Sequence, residues 1–555
     1  MPENNGLSSA ERIKQQSRGL RGTIGSGLQN EVTGALAEDD QALLKFHGMY
    51  QQDDRDRREE RAVKKLERLY SFMIRLRLPG GFLRPDQWVA LHHVAGVHST
   101  GVIKITTRQT IQLHGIIKSA IKPTIKAFAE ASLDSIATCG DVNRNVICSA
   151  HPLQSPAHAV IHAYAAKISE MMKPKTRAYY EIWLDEELVS GQQEEDPLYQ
   201  DRYLPRKFKI AIAIPPNNDI DVFGNDIGLI AIVENGILQG FNVAVGGGLS
   251  STHGNPANYA RLATEIGFVS GEENLLKVVY AIAEIQRDFG NRSDRKTARL
   301  KYTIDRHGIG WFKEEIERRS DYLFNKARSY QFTERQDYYG WRQNHSGLWF
   351  YTPFVECGRV LDDHQLALKT ALLEIAQTGK ANFRFTGNQN LILADIPARD
   401  KQTIDDILRR FGLLSHTENS SALRKNSMAC VALNTCPLAL AEAQRYFPSL
   451  LGEIERLLEK HGLAGLDIIM RMTGCPNGCA RPNLAEIGFV GTSYGRYNLH
   501  LGGDLTGTRL NRVYLENIDE PAILLALDRL LGHYASERLA GERIGDFSLR
   551  KEYVS

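Results

Sequence analysis

The chain has 555 residues, 42 % of them hydrophobic and 24 % charged, which is ordinary for a globular protein and enough for three or four cores. Lys and Arg total 68 against 66 Asp and Glu, a balance that makes no case for a nucleic-acid partner, and no run reaches the roughly 18 apolar residues of a membrane span. Met1 to Gln29 lacks the apolar core of a secretory signal, and seven cysteines suit reduced thiols better than a disulfide framework, so a cytoplasmic protein is expected.

Residues 1 to about 30 are rich in Ser, Gly, Asn and Gln around a short charged helical patch at Ala10 to Gln16, and read as a polar tail. Residues 37 to 69 are dense in charge, as on a solvated helix, although the embedded His47-Gly48-Met49-Tyr50 does not suit one. From Tyr70 the pattern predicts a strand near Ser71 to Leu78, a Pro-Gly-Gly turn, a helix from about Arg84 to Ala95 and a strand pair through Val102 to Ile117. The peptide Ile103 to Ile116 aligns without gaps on Phe383 to Ile396, with Thr106/Thr386, Gln109/Gln389 and Ile116/Ile396 identical. Later, Phe241 to Leu249 aligns with Tyr497 to Leu505. Two repeats in the same order predict an internally duplicated α+β fold, A-B-A′-B′, with pseudo-two-fold symmetry. The expected units are an arm and wrapping segment (1–69), A (70–135), B (136–335), A′ (336–415) and B′ (416–555).

Read as a strand pair, Lys104, Thr106, Arg108, Thr110, Gln112 and His114 share one polar face if the turn keeps register. That face could be solvent-washed, but its second copy, Arg384, Thr386, Asn388, Asn390, Ile392 and Ala394, has lost most of the charge. One live and one vestigial site would diverge in this way. Lys207 and Lys209 share a face of Lys207-Phe208-Lys209, and Arg75 and Arg144 lie in Ile74-Arg75-Leu76-Arg77 and Asn143-Arg144-Asn145. Each alone is an ordinary surface charge.

Four cysteines fall between 430 and 479, as Cys430-x5-Cys436 and Cys475-x3-Cys479, among Gly and Pro residues that let backbone wrap an inorganic group. Four thiolates can hold zinc or an iron–sulfur cluster, and spacings of five and three fit zinc poorly; four unrelated thiols are the remaining reading. Cys139, Cys148 and Cys357 read most simply as packed thiols.

These pairs, with Asn477 and Arg481, resemble the cluster signature of the sulfite and nitrite reductases that couple sirohaem to a 4Fe-4S cluster. Phe46 to Asp56, Leu78-Pro79-Gly80-Gly81, Asn143 to Val146, Leu204 to Lys209 and Gly246 to Leu249 are closer still to haemoprotein (beta) subunits of assimilatory sulfite reductase. The resemblance implies ferredoxin-like half-domains at A and A′. It implies six-electron reduction of sulfite to sulfide, one 4Fe-4S cluster on Cys430, Cys436, Cys475 and Cys479, and sirohaem with Cys479 as the bridging axial ligand. Sirohaem contacts are implied for Lys104, Thr106, Arg108, Gln112, His114, Arg299 and Asn477, and contacts to the substrate anion for Arg75, Arg144, Lys207 and Lys209. No Gly-x-Gly-x-x-Gly stands at a strand-to-helix turn, so electrons are expected from another protein. The arm, including Leu20 to Ile24, favours an NADPH-dependent flavoprotein (alpha) subunit over ferredoxin, whereas Cys139-Gly140-Asp141 resembles ferredoxin-dependent relatives. A sirohaem nitrite reductase is the nearest alternative.

Overall fold

The structure, a computed structural model, describes residues 6–151, 156–187 and 195–554. Its strands form four five-stranded sheets. Sheet A orders Met49–Asp53, Tyr70–Arg75, Ile111–Ile116, Ile103–Ile105 and Arg359–Val360; sheet A′ orders Gly340–Gln343, Trp349–Thr352, Leu391–Ile396, Asn382–Phe385 and Phe82–Leu83. All pairings in both are antiparallel. The outer strands are exchanged: Phe82–Leu83, from the A half, pairs with Asn382–Phe385, and Arg359–Val360, from the A′ half, pairs with Ile103–Ile105. Each sheet thus covers the other's edge, and Trp88, on the helix Pro85–His98 of A, stacks on Phe383 of A′ at 4.5 Å.

Sheet B orders Ile147–Cys148, Ile210–Ala213, Ile227–Glu234, Ile237–Val245 and Thr264–Val269; sheet B′ orders Ser427–Ala429, Met470–Thr473, Ile487–Ser493, Arg496–Leu501 and Arg512–Ile518. In both, the first three strands are parallel and the last two antiparallel. The apolar run Ile210–Ala213 is buried throughout, as a strand covered on both faces requires. The expected A-B-A′-B′ order therefore stands. The spacing between copies is 280 residues at Ile147 and Ser427, 260 from Ile210 and Met470 to Ile227 and Ile487, and 256 at Phe241 and Tyr497, the last step because the intervening hairpin is shorter in B′.

The polar tail expected for residues 1 to 30 is, from Leu7 on, folded against the body, while residues 1–5 lie outside the described residues. The helix Ser9–Gln16 buries Glu11 and Lys14; Lys14 Nζ donates to the Leu204 carbonyl (2.8 Å), and Glu11 pairs with Arg292 (2.5 Å). Leu20 and Ile24 are buried, and the Leu20 carbonyl lies 3.0 Å from His47 Nε2. The wrapping segment supplies Met49–Asp53 as the edge strand of sheet A, so that sheet draws on chain before residue 70. Gly48 makes the turn into this strand at φ +84°, where a Cβ would lie 1.9 Å from the Ser135 carbonyl oxygen. Gly48→Ala is expected to destabilise the protein by about 3 kcal/mol or more, from backbone strain and the clash together. An unchanged thermal melt would contradict that.

Candidate active site

Parallel pairing brings the two cysteine pairs together. Ser427–Ala429 runs beside Met470–Thr473 with Ala429 opposite Met472, so Cys430 and the Gly474-Cys475 turn leave the sheet at the same end, where open sheets of parallel strands present their ligands. Gly474 N–H points at Cys430 Sγ (3.4 Å), and a Cβ on Gly474 would lie 2.5 Å from the Ala441 carbonyl oxygen. Asn477 Nδ2 donates to Cys475 Sγ (3.5 Å). Burial pushes the Cys430 thiol well above its ordinary value and that of Cys436 up to about 11, with Cys479 and Cys475 adding to both. Thiols held protonated in this way become thiolates when metal supplies the opposing charge. Among the described residues no three of His, Cys, Asp or Glu converge as a single-ion site requires, and a four-iron cluster spans a wider set of sulfurs.

A row of polar groups crosses sheet A. Lys104 and Arg75 both lie opposite Gln112, on neighbouring strands. The Gln112 amide turns its oxygen to Arg75 Nε (2.9 Å) and its nitrogen to His114 Nε2 (3.2 Å). His114 Nδ1 lies 2.9 Å from Gln52 Oε1, and burial beside Lys104 and Arg75 keeps the imidazole neutral. Burial also lowers the Lys104 pKa to about 8, helped by Arg359 and Arg445.

The expected alternation fails at the turn between these strands. Gln109, at φ +52°, reaches sheet B, donating to the Cys148 carbonyl (2.7 Å); Thr110 is buried against the Leu76 carbonyl; and Thr107, assigned to the opposite face, donates to the Cys479 carbonyl (2.9 Å). Thr106 Oγ1 accepts from Arg108 N (3.2 Å). Arg108 itself braces A against B, donating to Asn225 Oδ1 (2.9 Å) and the Asn145 carbonyl (2.6 Å). Its Nε is buried without a partner, and burial beside Arg144 lowers its pKa to about 9.

Lys207 and Lys209 run alongside Arg144, because Asn143 bridges Phe208 in parallel. Arg144 and Arg75 converge on the Thr138 carbonyl (3.2 and 3.1 Å), and Arg75 also donates to Cys139 Sγ (3.0 Å), so this thiol is more than packing. Cys148 and Cys357 are packed as expected. Lys207 and Lys209, with Arg108, Arg299, Arg481, Asn477 and Cys479, line one cleft. Burial beside Arg206 and Arg299 lowers the Lys207 pKa to about 7; burial beside Lys207 holds that of Lys209 well below the ordinary lysine value. The carboxylates that reach these cations are already taken. Asp226 binds Arg299 (2.8 Å) and the Lys209 N–H (2.9 Å), and Asp221 binds Arg481 (2.8 Å). Cations desolvated with so little opposing charge fit a ligand rich in carboxylates, as sirohaem is with eight. Sequence reasoning named Arg481 only within the signature and missed Thr107, Asn225, Leu249 and Ser250, which hold or line the cleft from turns without a periodic signal.

With this geometry in place, the profile of the nitrite/sulfite reductase ferredoxin-like half domain matches twice, at residues 65–131 and 342–411, and that of the nitrite and sulphite reductase 4Fe-4S domain matches residues 163–322. A protein of Leptospira biflexa named sulfite reductase (NADPH) hemoprotein beta-component is 62 % identical, covering 99 % of both chains. The chain belongs to the nitrite and sulfite reductase family. Proteins of the same name from Geobacillus thermodenitrificans and Myxococcus xanthus are 51 % and 50 % identical over 99 % of this chain, covering 96 % and 97 % of their own lengths. The solved structure of the Mycobacterium tuberculosis NirA protein superposes with a TM-score of 0.80 at 25 % identity, covering 100 % of this chain and 98 % of that one. The half-domain matches fall on A and A′; the 4Fe-4S match falls within B, whereas the four cysteines lie in its duplicate B′. The family implies an enzyme that works with sirohaem and a 4Fe-4S cluster.

The depressed Lys207 pKa has a defined pH signature. Below about pH 7 Lys207 is protonated both folded and unfolded, and the full cost of burying the charge is present; above it the folded chain sheds the proton first, and stability rises toward the ordinary lysine value of 10.5. The cofactor-free chain is expected to gain thermal stability from about pH 7 upward, with Lys207→Met flattening that slope. Identical slopes for the two proteins would contradict the assignment.

Proposed function

We propose that the chain reduces sulfite to sulfide in assimilatory sulfur metabolism, as the sirohaem-bearing subunit of a complex in which an NADPH-dependent flavoprotein supplies the electrons. The observation that carries this reading is the pair of half-buried lysine side chains, Lys207 and Lys209, which have no protein partner among the described residues and line the same cleft as Cys479. The names of the relatives, with their NADPH and beta-component, support the substrate and the partner. The 4Fe-4S cluster is assigned to Cys430, Cys436, Cys475 and Cys479, and the sirohaem axial position to Cys479. Lys104, Thr106, Arg108, Gln112, His114, Arg299 and Asn477 are assigned to sirohaem, His114 as a neutral hydrogen-bonding group and Arg299 as a cation already anchored by Asp226.

When bound, sirohaem and the cluster supply the iron chemistry and the electron store. The protein's own groups handle the anion and its protons. Conversion of the hydrogensulfite anion to hydrogen sulfide and three waters takes six electrons and seven protons, so proton donors must stand at the oxygens that leave. Charge-assisted hydrogen bonds of roughly 1.5–3 kcal/mol each can offset the lost hydration of sulfite. Arg75 and Arg144, fixed together on the Thr138 carbonyl, suit orientation of two oxygens. A lysine whose pKa is lowered to about 7 is poised to give up and regain a proton near neutrality, as a general acid should.

Lys207→Met and Lys209→Met are each expected to lower kcat for sulfite by about 10²-fold or more, and Arg144→Ala to act mainly by raising KM about tenfold or more. Steady-state kinetics with reduced methyl viologen, for sulfite and nitrite in parallel, test this. Full turnover in both lysine variants would refute the donor role, and a higher kcat/KM for nitrite would move the reading to a nitrite reductase.

A further inference from the structure

Three of the cations assigned to the substrate anion sit on two short segments that run side by side. Asp141 to Arg144 carries Arg144, and Leu204 to Lys209 carries Lys207 and Lys209. Backbone bonds fix their register: Leu204 N–H donates to the Asp141 carbonyl (3.0 Å), Phe208 N–H to the Val142 carbonyl (3.0 Å) and Arg144 N–H to the Phe208 carbonyl (2.8 Å). The pairing here is a single bridge, Asn143 with Phe208, ahead of the regular strand Ile210–Ala213. So short a ladder depends on support at the end where both segments begin.

A side chain from the arm closes that end. Lys14 is 3 % exposed, and its Nζ donates across 190 residues of sequence to the Leu204 carbonyl (2.8 Å), three residues before Lys207. The same nitrogen stands 3.7 Å from Asp141 Oδ2, three residues before Arg144. Glu11, one turn earlier on the helix Ser9–Gln16, accepts its remaining bond (2.5 Å). An ammonium has three protons to give, and these three acceptors match them. The neighbours hold the acceptors in turn: Arg292 binds Glu11 (2.5 Å) and the Tyr203 carbonyl (2.8 Å), and Arg295 grips both oxygens of Asp141 (2.6 and 2.8 Å). In extended backbone three residues span about 10 Å, so a shift at either anchor is passed on to the cation beyond it.

We propose that Lys14 is a positioning residue for the anion site, setting the spacing between the segment that carries Arg144 and the segment that carries Lys207 and Lys209. This rests on the reading above, in which those three cations handle the anion and its protons. The arm then supports the site itself, in addition to covering the body.

The test compares Lys14→Met, Lys14→Gln and Glu181→Gln with wild type, each as the full chain with its cofactors. Glu181→Gln loosens the arm at another anchor, the paired bonds from Arg21 (2.7 Å each). Hydrogen exchange read by mass spectrometry follows the amides of residues 138–144 and 204–209, and sulfite reduction driven by reduced methyl viologen gives kcat and KM. For Lys14→Met the expected result is exchange about tenfold faster in those two stretches, and a kcat/KM for sulfite lowered about tenfold or more through both a higher KM and a lower kcat. Lys14→Gln, which still donates to the Leu204 carbonyl, is expected to lose less, and it carries the comparison if Lys14→Met does not fold. Glu181→Gln is expected to match wild type in both stretches and in kcat/KM. Faster exchange confined to residues 7–16, with wild-type kcat/KM, would overturn the proposal and leave Lys14 a fastener of the arm. Equal losses in Glu181→Gln, or faster exchange spread through the whole chain, would overturn it as well. Wild-type holoenzyme that failed to reduce sulfite with the dye would refute the enzymatic reading and the proposal with it, whereas an active wild type matched by both lysine variants would refute the proposal alone.

Discussion

The arrangement depends on one buried carboxylate. Asp221 is fully buried in the left-handed backbone region and takes three guanidinium groups: Arg335 from the end of B (3.1 Å), Arg471 from the second strand of B′ (2.6 Å) and Arg481 two residues after Cys479 (2.8 Å). Burial raises the pKa of such a group, but three surrounding cations outweigh it and hold the carboxyl well below the ordinary range. The next turn extends the brace, since Asn225 Nδ2 donates to the Asp221 carbonyl (3.1 Å) while its oxygen accepts from Arg108. A continuous set of contacts, Arg481 to Asp221 to Asn225 to Arg108, therefore ties the cysteine loop of B′ through B to the cationic strand pair of A. One anion among three arginines leaves positive charge in the interior, on the same side of the balance as the cleft it supports.

Duplication supplied two such places and the sequence kept one. At the 260-residue spacing, Asp219 of B stands where B′ has Cys479, and B′ has Ile469 where B has Lys209. The supporting pair survives in both: Asp226 accepts from Lys209 N and binds Arg299, and Glu486 accepts from Ile469 N (2.9 Å) and binds Arg543 (2.6 Å). On the A′ face, Thr386, Asn388 and Asn390 all donate to the carboxylate of Asp337 (2.7, 3.2 and 2.7 Å), and His151 lies 3.2 Å from it. The chain's own anion occupies this polar face, whereas in the first copy no carboxylate among the described residues pairs with Lys104 or Arg108. Scaffold and chemistry are thus separable: the brace is kept twice, the unsatisfied cations once.

Much of this was legible because repeats and parallel strands impose spacing. The alignment of Ile103 to Ile116 on Phe383 to Ile396 located both strand pairs, and the lost charge of the second copy marked it as a closed site, which Asp337 explains. Strand exchange between A and A′ was not legible, since Phe82–Leu83 and Arg359–Val360 are too short to carry a period. The alternation through residues 106–110 failed because a turn residue with positive φ, Gln109, redirects the side chains on either side of it. The arm looked like a tail because the groups that bury Glu11 and Lys14, the Leu204 carbonyl and Arg292, lie far away in sequence, where local composition is blind to them.

On the proposed reading, four cysteines and an uncompensated cationic cleft hold one four-iron cluster and one sirohaem together. The most direct measurement is the visible absorption spectrum of the purified chain with iron and acid-labile sulfide assayed on the same sample. A haem-type spectrum with about five irons and about four sulfides per chain is expected, the content of sirohaem plus a 4Fe-4S cluster. A colourless protein with one zinc per chain would contradict it.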